Sequence, residues 1–384
     1  MWILSEKIDR IQTVLNKHNV DGWIIFCHHS YDVHQRYLLE KWFASPTLTL
    51  IPKRGKPSVI TSQMEAMLVN EEIYEVNAYK KGSELTEMVN NLLKSFQDKS
   101  TLALNFVEPS EVFSKFSSDI LTSGTFSALT SINKNLNYVS AKDIIFDVRA
   151  VKTQKEIKNH EIAAKLAEEL MEEVIEPLIK PGMVEKELAA IIEFECNKRG
   201  GVAFEPIVAS GPNAAIPHHK AGAGKIEENQ VLLIDYGVAY EMSNSDITHT
   251  YWIGSKPKEE ILRAYEAVHE AKEAAFSKIR AGVSSHIVEM AVREKFEEFG
   301  YDHEKLYIHS TGHAIGIETH DIGVGIYRAY PDRPAKELLE NSVITVEPGL
   351  YFAGDFGIRL EDDCVVTKDG GRRLSNTPKE MVCL

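Results

Sequence analysis

One structural plan occurs twice in the C-terminal part of this chain, and it limits the folds that the sequence can adopt. Each copy has two helix-like stretches and then a strand-rich segment with a histidine followed by two acidic residues. Since a repeated unit buries its apolar face against its neighbour, we expect the two copies to pair around one shared site. The polar positions are His218, Asp235 and Asp246 in the first copy, and His320, Glu347 and Glu361 in the second.

Local signals mark the helices of this repeat. Glu156 follows Thr153 by three residues, which is a capping box ahead of an apolar run. Apolar residues then recur at every fourth position, which predicts a helix that ends near Pro181 and Gly182. These apolar residues are Ile162, Leu166, Leu170, Val174 and Leu178. The other predicted helices of the repeat span about 184–199, 257–279 and 284–299.

The residues before the repeat predict a smaller α/β domain. A chain of 384 residues exceeds one typical core, so we expect an N-terminal domain of residues 1–148 and a C-terminal domain of residues 149–384. The elements predicted in the first domain are a helix at 4–18, a strand at 20–26, a hairpin of 48–51 and 58–62, a helix at 83–96 and a strand at 101–106.

Charge and composition narrow the classes of partner. The formal net charge is −14, which argues against a nucleic-acid partner because such a partner requires a basic face. No stretch approaches about 18 consecutive apolar residues, so we expect no membrane span. The four cysteines are scattered, and charged residues stand where a signal peptide needs its apolar run. We therefore expect a cytoplasmic protein.

The N-terminal domain also contains a group of potential metal ligands, Cys27, His28, His29 and His34. A metal cluster is one interpretation of this group. A surface or packing role is favoured, because adjacent residues of a strand point to opposite faces of the sheet.

The acidic residues of the repeat occupy matching places in two strand pairs. Asp235 ends the apolar run 231–234, and Asp246 precedes the return strand. Each aspartate alone is compatible with an ordinary strand-end residue, although a buried carboxylate on an apolar strand is costly unless it is paired or metal-bound. Glu347 and Glu361 repeat the arrangement, and this repetition argues against the ordinary interpretation.

Three histidines stand close together between the second pair of helices and the second strand pair. They are His309, His313 and His320 in the segment HSTGHAIGIETHD. Gly312 argues against a helix there, so a glycine-rich strand or loop that directs imidazoles into a pocket fits better. One imidazole with four carboxylates suits Mn²⁺, Co²⁺ or Fe²⁺ at least as well as Zn²⁺. Four carboxylates are also enough to bridge two ions, an arrangement used for hydrolysis.

The chain resembles the creatinase/prolidase/aminopeptidase P family, which is related to methionine aminopeptidase. The similar segments are FEPIVASGPNAAIPHH (204–219), LLIDYG with SDITHT (232–250), HSTGHAIGIETHD (309–321), and VEPGLY with GIRLEDD (346–363). The resemblance implies an α+β protein with a small N-terminal creatinase-like α/β domain. It also implies a C-terminal pita-bread domain with an internal pseudo-twofold repeat.

The resemblance assigns roles to individual residues of this sequence. His218 and His320 match catalytic histidines, His309 matches a further active-site histidine, and Arg359 matches an arginine of the family motif. Glu347 is implied to be a ligand that also takes and returns a proton. The implied metal ligands are Asp235, Asp246, His313, Glu347 and Glu361, with Asp246 and Glu361 bridging two ions.

The activity that the resemblance implies is hydrolysis of Xaa-Pro bonds, as a dipeptidase or an aminopeptidase. A metal-bridging hydroxide would attack the scissile carbonyl of a short peptide with proline after the bond. Two divalent ions are expected, Mn²⁺ or Co²⁺ first and Zn²⁺ or Fe²⁺ as alternatives. The family also implies a homodimer.

Three departures and three alternatives accompany this hypothesis. His249, His219 and Ala314 stand where many relatives have arginine, a small residue and glycine. A creatinase-like enzyme or a lyase would act on a small non-peptide substrate, and a non-catalytic homologue would only bind peptides. The creatinase-like and non-catalytic alternatives are expected to have lost ligands, whereas every ligand position here is filled.

Overall fold

The structure is a computed structural model that describes residues 2–108 and 118–384. The chain divides into two compact units, Met1–Val148 and Arg149–Leu384. Each unit has its own apolar core. None of the described helices is long and apolar enough to span a bilayer.

A six-stranded mixed sheet forms the centre of the first unit. β1 (Gly22–Cys27) is antiparallel to β2 (Thr47–Pro52) and parallel to β5 (Thr101–Leu104). Ile24 therefore lies opposite Leu50 on one side and Leu104 on the other. The first three strands are buried almost throughout, as expected of strands covered on both faces. In the spatial order β4-β3-β2-β1-β5-β6, the strands are β1 (Gly22–Cys27), β2 (Thr47–Pro52), β3 (Ser58–Ser62), β4 (Glu75–Tyr79), β5 (Thr101–Leu104) and β6 (Asn137–Ser140).

The helices of the first unit include three that the sequence did not predict, at Val33–Leu39, Ser123–Ile132 and Lys142–Arg149. They are α1 (Trp2–Lys17), α2 (Val33–Leu39), α3 (Gly82–Lys94), α4 (Ser123–Ile132) and α5 (Lys142–Arg149), with a 3₁₀ turn at Ala66–Leu68. Helix α2 has no apolar periodicity to reveal it, because the polar residues His34 and Gln35 are buried with its apolar ones. Gln35 donates to the Thr47 carbonyl at 3.0 Å, which satisfies its buried amide.

The second unit begins with the helices of its first half, α6 (Gln154–Leu170), α7 (Glu176–Leu178) and α8 (Glu185–Arg199). The predicted capping box is confirmed, since Glu156 N donates to Thr153 Oγ1 at 3.2 Å and Thr153 N donates to Glu156 Oε2 at 2.8 Å. A π-helical stretch, Met171–Ile175, joins α6 to α7 and changes the buried face. Leu178, which continues the predicted spacing, is consequently 41% exposed.

The strands of the first half form a sheet in the order β17-β11-β8-β7, in which the last strand of the chain joins the edge. β8 and β11 are antiparallel over seven residue pairs, and their apolar side chains pack into the main core of the unit. A 3₁₀ turn at Gly211–Ala215 follows β7. The strands are β7 (Ile207–Ser210), β8 (Gln230–Tyr236), β9 (Ala239–Tyr240), β10 (Ser243–Asn244), β11 (Ile247–Ile253) and β17 (Val382–Cys383).

The second half repeats the plan with shorter strands. Its helices are α9 (Glu259–Lys278), α10 (Ser285–Glu298) and α11 (His303–Leu306). Its strands form a sheet in the order β12-β15-β16 and a separate hairpin of β13 and β14. The strands are β12 (Val343–Val346), β13 (Gly349–Phe352), β14 (Phe356–Arg359), β15 (Asp362–Val366) and β16 (Gly371–Arg373).

Hydrogen bonds join the two halves where β11 runs beside the segment that leads into β15. Glu361 N donates to the Thr248 carbonyl at 3.1 Å, and Thr250 Oγ1 donates to the Arg359 carbonyl at 2.7 Å. The two halves therefore share one continuous surface of strands, and the acidic residues of the repeat lie along it.

Candidate metal centre

The predicted site residues surround one cavity of about 590 Å³ in the second unit. Carboxylates, imidazoles and guanidinium groups all contribute to its wall. The predicted residues in this wall are His218, Asp235, Asp246, His309, His313, His320, Glu347, Arg359 and Glu361. The structure thus brings all of them together, while their roles as ligands or catalytic groups stay predictions.

Two paired strands position the aspartates of the first half. Asp235 on β8 lies opposite Thr248 on β11, and Asp246 immediately precedes β11. Because the strands are antiparallel, both carboxylates lie at the same end of the pair. Both aspartates are buried, although apolar strands offer them little solvation.

The glutamates of the second half follow the same geometry. Glu347 comes directly after β12 and Glu361 directly before β15, and these strands are antiparallel with Val346 opposite Asp362. Glu361 is buried, and its Oε2 accepts a hydrogen bond from Thr248 Oγ1 at 2.6 Å. A threonine of the first half therefore orients a carboxylate of the second.

His313 lies between carboxylates of the two halves. Its Nε2 is 3.5 Å from Asp246 Oδ2 and 3.5 Å from Glu347 Oε1. Its Nδ1 bonds the Ala314 carbonyl at 3.2 Å, so Nδ1 carries the proton and the Nε2 lone pair faces the carboxylates. Burial lowers the pKa of His313 to about 3, which keeps the ring neutral. A neutral imidazole with a fixed tautomer is the form that binds a metal ion.

Close backbone packing places this imidazole. A Cβ added at Gly312 would lie 2.0 Å from the Thr345 carbonyl oxygen on β12, so only glycine permits this approach. His313 N donates to Thr345 Oγ1 at 3.1 Å, and Glu347 N donates to the Thr311 carbonyl at 2.7 Å. The histidine segment is therefore held along β12 as an extended chain rather than a helix.

The pKa values of Asp246, Glu347 and Glu361 are strongly shifted. Burial, reinforced by the neighbouring carboxylates, raises the pKa of Asp246 and of Glu361 well above the ordinary range. Burial and Asp235 raise the pKa of Glu347 to about 8, although Arg359 opposes the shift. Like charges in a buried volume repel one another, and a divalent cation among them stabilises their ionised forms.

The donor set fits a divalent cation. Asp235 Oδ2 accepts from Arg359 Nη2 at 2.5 Å, whereas Asp235 Oδ1 is buried and has no hydrogen-bond donor among the described residues. Such an oxygen is costly unless a cation binds it. Asp246, His313 and Glu361 each offer one ligand atom, and these three atoms lie within 4.8 Å of one another. The cluster is rich in oxygen and contains no thiolate, which favours hard or borderline divalent ions.

Arg359 links the carboxylates to the His309 imidazole. Besides Asp235, its guanidinium donates to Tyr351 Oη at 2.9 Å, and Tyr351 Oη lies 2.8 Å from His309 Nε2. His309 Nδ1 bonds the Ser310 carbonyl at 2.8 Å, so Nδ1 carries the proton and Nε2 accepts from tyrosine. Burial and Arg359 lower the pKa of His309 to about 4. His309 is therefore a neutral ring at the end of a fixed hydrogen-bond chain.

His218 and His320 differ from His309 and His313 in the hydrogen bonding of their rings. The ring of His320 stacks on His313, with centroids 4.0 Å apart. Neither His218 nor His320 has a hydrogen-bond partner for its ring within the described part of the chain, and both line the cavity. Burial and His218 lower the pKa of His320. These two rings are thus available to a molecule that enters the cavity.

Sequence reasoning missed three residues that support the site. Thr248 orients Glu361, Tyr351 joins Arg359 to His309, and Asp363 Oδ2 accepts from Asp246 N at 3.0 Å. All three stand inside the segments SDITHT, VEPGLY and GIRLEDD. Their presence in these segments could have pointed to them. Their contacts could not be inferred, because the partners are distant in the sequence or belong to another strand.

The histidines that the structure describes in the first unit form no such cluster. His28 and His29 are exposed and their rings form a T-shaped contact, with centroids 5.6 Å apart. Tyr31 lies 6.0 Å from both rings. Within residues 2–108 and 118–384, the three-donor cluster is the one that contains His313. His28 and His29 follow β1 rather than lie in it, so the predicted surface or packing role agrees with the structure, whereas the strand argument for it does not apply.

Comparison with known proteins extends these observations. The model of metallopeptidase family M24 matches residues 158–368. The chain is 29% identical to the Xaa-Pro dipeptidase of Pyrococcus horikoshii, over the whole of both chains. It is similar to the structure of an Xaa-Pro dipeptidase from Bacillus anthracis, with a TM-score of 0.83 and 27% identity. The similarity covers 99% of this chain and 100% of that one. It is also similar to the structure of an X-Pro aminopeptidase from Thermotoga maritima (TM-score 0.82, 30% identity). That similarity covers 97% of this chain and 100% of the other.

These likenesses confirm the predicted α+β fold with a pita-bread catalytic domain. The matched residues 158–368 contain every predicted ligand, and a metallopeptidase binds divalent metal. Since the match covers more than half of the chain, the chain belongs to metallopeptidase family M24.

Proposed function

We propose that this metallopeptidase hydrolyses Xaa-Pro bonds of short peptides with two divalent ions held by Asp235, Asp246, His313, Glu347 and Glu361. The observation that carries the proposal is the single cavity in which four carboxylates and the Nε2 atom of His313 converge. The Oδ1 of Asp235 supports it, because a cation would satisfy this buried oxygen, which has no hydrogen-bond donor among the described residues.

In this proposal Asp246 and Glu361 would be the ligands shared by the two ions. The proposal is supported by their position, since one comes from each half and their ligand atoms lie within 4.8 Å of each other and of His313. Bound divalent ions supply Lewis acidity, which polarises a carbonyl and lowers the pKa of water. We propose Mn²⁺ or Co²⁺ as these ions, since the ligands are mainly oxygen.

Glu347 is the proposed proton carrier. It is part of the wall of the cavity, and its Oε1 faces Thr345 Oγ1 at 3.4 Å. The carboxylate takes a proton from the attacking water and returns it to the leaving nitrogen. A group for this task needs a pKa near the working pH and a position within reach of both atoms.

His218 and His320 are the proposed substrate-facing groups. Their rings line the cavity, and neither is engaged by another described residue. His218 donates a hydrogen bond to the oxyanion that forms on the carbonyl, and His320 contacts the substrate near the scissile bond. Donors directed at a developing oxyanion stabilise the transition state more than the ground state.

Proline preference is supported by the wall beside His218. Proline lacks an amide N–H and has a fixed φ, so a site for it needs a compact apolar surface rather than an acceptor for that N–H. Pro217, Phe204 and Ile207 line the cavity together with His218. The similar proteins from Pyrococcus horikoshii and Thermotoga maritima bear the names Xaa-Pro dipeptidase and X-Pro aminopeptidase.

Arg333 favours dipeptides over longer substrates. Its guanidinium also lines the cavity and lies 3.9 Å from the centre of the Tyr327 ring. Among the described residues it has no carboxylate partner, whereas Arg359 is bound to Asp235. A guanidinium held on an aromatic ring is well suited to bind a carboxylate. We propose that Arg333 binds the C-terminal carboxylate of a dipeptide.

A panel of matched substrates tests the proposal. Metal-depleted protein is reloaded with Mn²⁺, Co²⁺ or Zn²⁺, and kcat/KM is measured for Ala-Pro, Ala-Pro amide, Ala-Pro-Ala and Ala-Ala. We expect no activity without metal and at least a tenfold preference for Ala-Pro over Ala-Ala, which corresponds to about 1.4 kcal/mol. The amide and the tripeptide should be cleaved less well than Ala-Pro.

The outcomes separate the alternatives. Equal rates for Ala-Pro and Ala-Ala would leave a general dinuclear peptidase. Full activity in verified metal-free protein would contradict the metal mechanism and favour a creatinase-like enzyme. Cleavage of Ala-Pro-Ala at the rate of Ala-Pro would identify an aminopeptidase and remove the role proposed for Arg333.

A further inference from the structure

A buried glutamate outside the cavity holds the loop that carries His218. Glu185 is the first residue of α8, and its side chain is fully buried. Its Oε1 accepts from Ser210 N, Ser210 Oγ and Asn213 Nδ2, each at 2.8 Å. Its Oε2 accepts from His219 Nε2 at 2.9 Å and Gly222 N at 3.4 Å. All of these donors come from one loop, residues 210–222.

The carboxylate of Glu185 is ionised in this environment. Burial alone raises the pKa of Glu185, but the hydrogen bonds from Asn213, His219 and Ser210 outweigh burial and lower the pKa below its usual value. Hydrogen bonds to a charged acceptor are shorter and stronger than those between neutral groups. The contacts of Glu185 are therefore a strong restraint on the loop rather than incidental packing.

Just beyond this loop, Gly224 also lies close against Glu185, so a larger residue there would displace the carboxylate. A Cβ added at Gly224 would lie 2.6 Å from Glu185 Oε2, and Glu185 N donates to the Gly224 carbonyl at 2.9 Å. On the other side of the loop, Arg359 Nη1 donates to the Pro217 carbonyl at 3.2 Å. His218 is thus flanked by Pro217, which Arg359 holds, and by His219, which Glu185 holds.

We propose that Glu185 is a positioning residue that sets the location of the His218 imidazole through His219 and the Ser210–Asn213 turn. The proposal rests on the role given to His218 in the proposed function. His218 has no hydrogen-bond partner for its ring among the described residues, so its backbone neighbours are what fix it. Misplacement of a catalytic group by about 1 Å costs up to 100-fold in rate.

The second half contains a matched control for this proposal. Glu289 on α10 is also fully buried, and its Oε2 accepts from Thr311 N at 2.9 Å and Thr311 Oγ1 at 2.7 Å. Its Oε1 accepts from Arg293 Nε at 2.8 Å. Glu289 is therefore a buried carboxylate with similar bonds, but it holds the His309 segment instead of the His218 loop.

A double-mutant cycle distinguishes positioning from general stability. kcat, KM, metal content and Tm are measured for Glu185→Gln, His218→Ala and the double variant, and likewise with Glu289→Gln in place of Glu185→Gln. We expect Glu185→Gln to lower kcat about 10- to 100-fold, with metal content and KM close to wild type. In the His218→Ala background, Glu185→Gln should change kcat less than about twofold. Glu289→Gln should cost the same factor in both backgrounds.

Two further variants complete the design. Glu187→Gln, an exposed neighbour on α8, should leave kcat unchanged. If Glu185→Gln does not fold, His219→Ala replaces it in the cycle and His219→Gln, which keeps a donor, should restore part of the rate. An unchanged kcat in folded Glu185→Gln, or equal effects of this variant with and without His218, would overturn the proposal. Wild-type protein without Xaa-Pro activity, or an unimpaired His218→Ala, would instead contradict the proposed function.

Discussion

The two halves of the second unit share a plan for their carboxylates and differ in everything else that lines the cavity. In each half one acid lies at the end of an outgoing strand and the other immediately precedes the returning strand. The first half uses Asp235 and Asp246 on a long strand pair, and the second uses Glu347 and Glu361 on a short one. The repeated part is therefore the set of groups suited to hold cations.

The imidazoles are distributed unequally between the halves. The first half contributes His218, whereas the second contributes His309, His313 and His320. The hairpin of β13 and β14 adds Tyr351 and Arg359 to the second half. A peptide bond is a polar, directional group, so a symmetric set of acids alone gives it no preferred orientation. The comparison indicates that pseudo-symmetry serves ion binding and that asymmetry serves substrate orientation.

Removing one proposed bridging acid from either half tests whether the carboxylates are equivalent. Asp246→Asn and Glu361→Gln should each lower kcat/KM by about three orders of magnitude or more, because several kcal/mol of transition-state stabilisation depend on the ions. Both variants should also lose metal in elemental analysis. Glu228→Gln and Glu340→Gln, which are exposed, serve as controls in the two halves. Retention of two ions in one variant only would show that the halves are not equivalent.

Removing imidazoles tests the asymmetry. His218→Ala and His320→Ala should each reduce kcat by a factor of about 10² or more, the usual range for such donors, with metal content near wild type. His313→Ala should reduce the metal content itself, because its Nε2 faces two carboxylates. Kinetics after saturation with Mn²⁺, together with metal analysis, separate the two classes. Loss of metal from His218→Ala with an intact fold would make His218 a ligand.

Two threonines, one from each half, test how much a hydrogen bond to a carboxylate of the site contributes to metal binding. Thr248 Oγ1 donates to Glu361 at 2.6 Å, whereas Thr345 Oγ1 donates to Glu347 at the longer distance of 3.4 Å. Thr248→Val should weaken metal binding about 10- to 100-fold, as is usual for a residue that orients a ligand. Thr345→Val should weaken it less. Calorimetric titration of metal into depleted protein measures both, and equal effects would contradict the importance given to the Thr248 contact.

Features that depend on neighbouring residues were the ones that the sequence predicted well. The Thr153 and Glu156 capping box is an example, since both partners lie within one turn of the same helix. The strands β2 and β3 are another, because the turn between them has local signals. The pita-bread fold was predicted in a different way, from segments that resemble a known family.

The features that escaped prediction depend on contacts between distant residues. Glu185 and Glu289 look like ordinary acidic residues of amphipathic helices, yet both are fully buried by bonds to strands or loops more than twenty residues away. The π-helical stretch Met171–Ile175 changes which side chains face the core, and no local signal marks it. His249 stands where many relatives have arginine. It is buried, its Nδ1 lies 3.1 Å from Tyr251 Oη, and it is not among the residues that line the cavity.

The hydrogen bonds that cross between the halves also bear on how the protein unfolds. Thr248 of the first half is bonded to Glu361 of the second through both main chain and side chain. Opening either half breaks these bonds, so neither half gains the freedom to open by itself. Segments coupled in this way exchange their amide hydrogens as one cooperative unit. The amides of Thr248 and Glu361 should therefore be among the slowest to exchange, and they should exchange together.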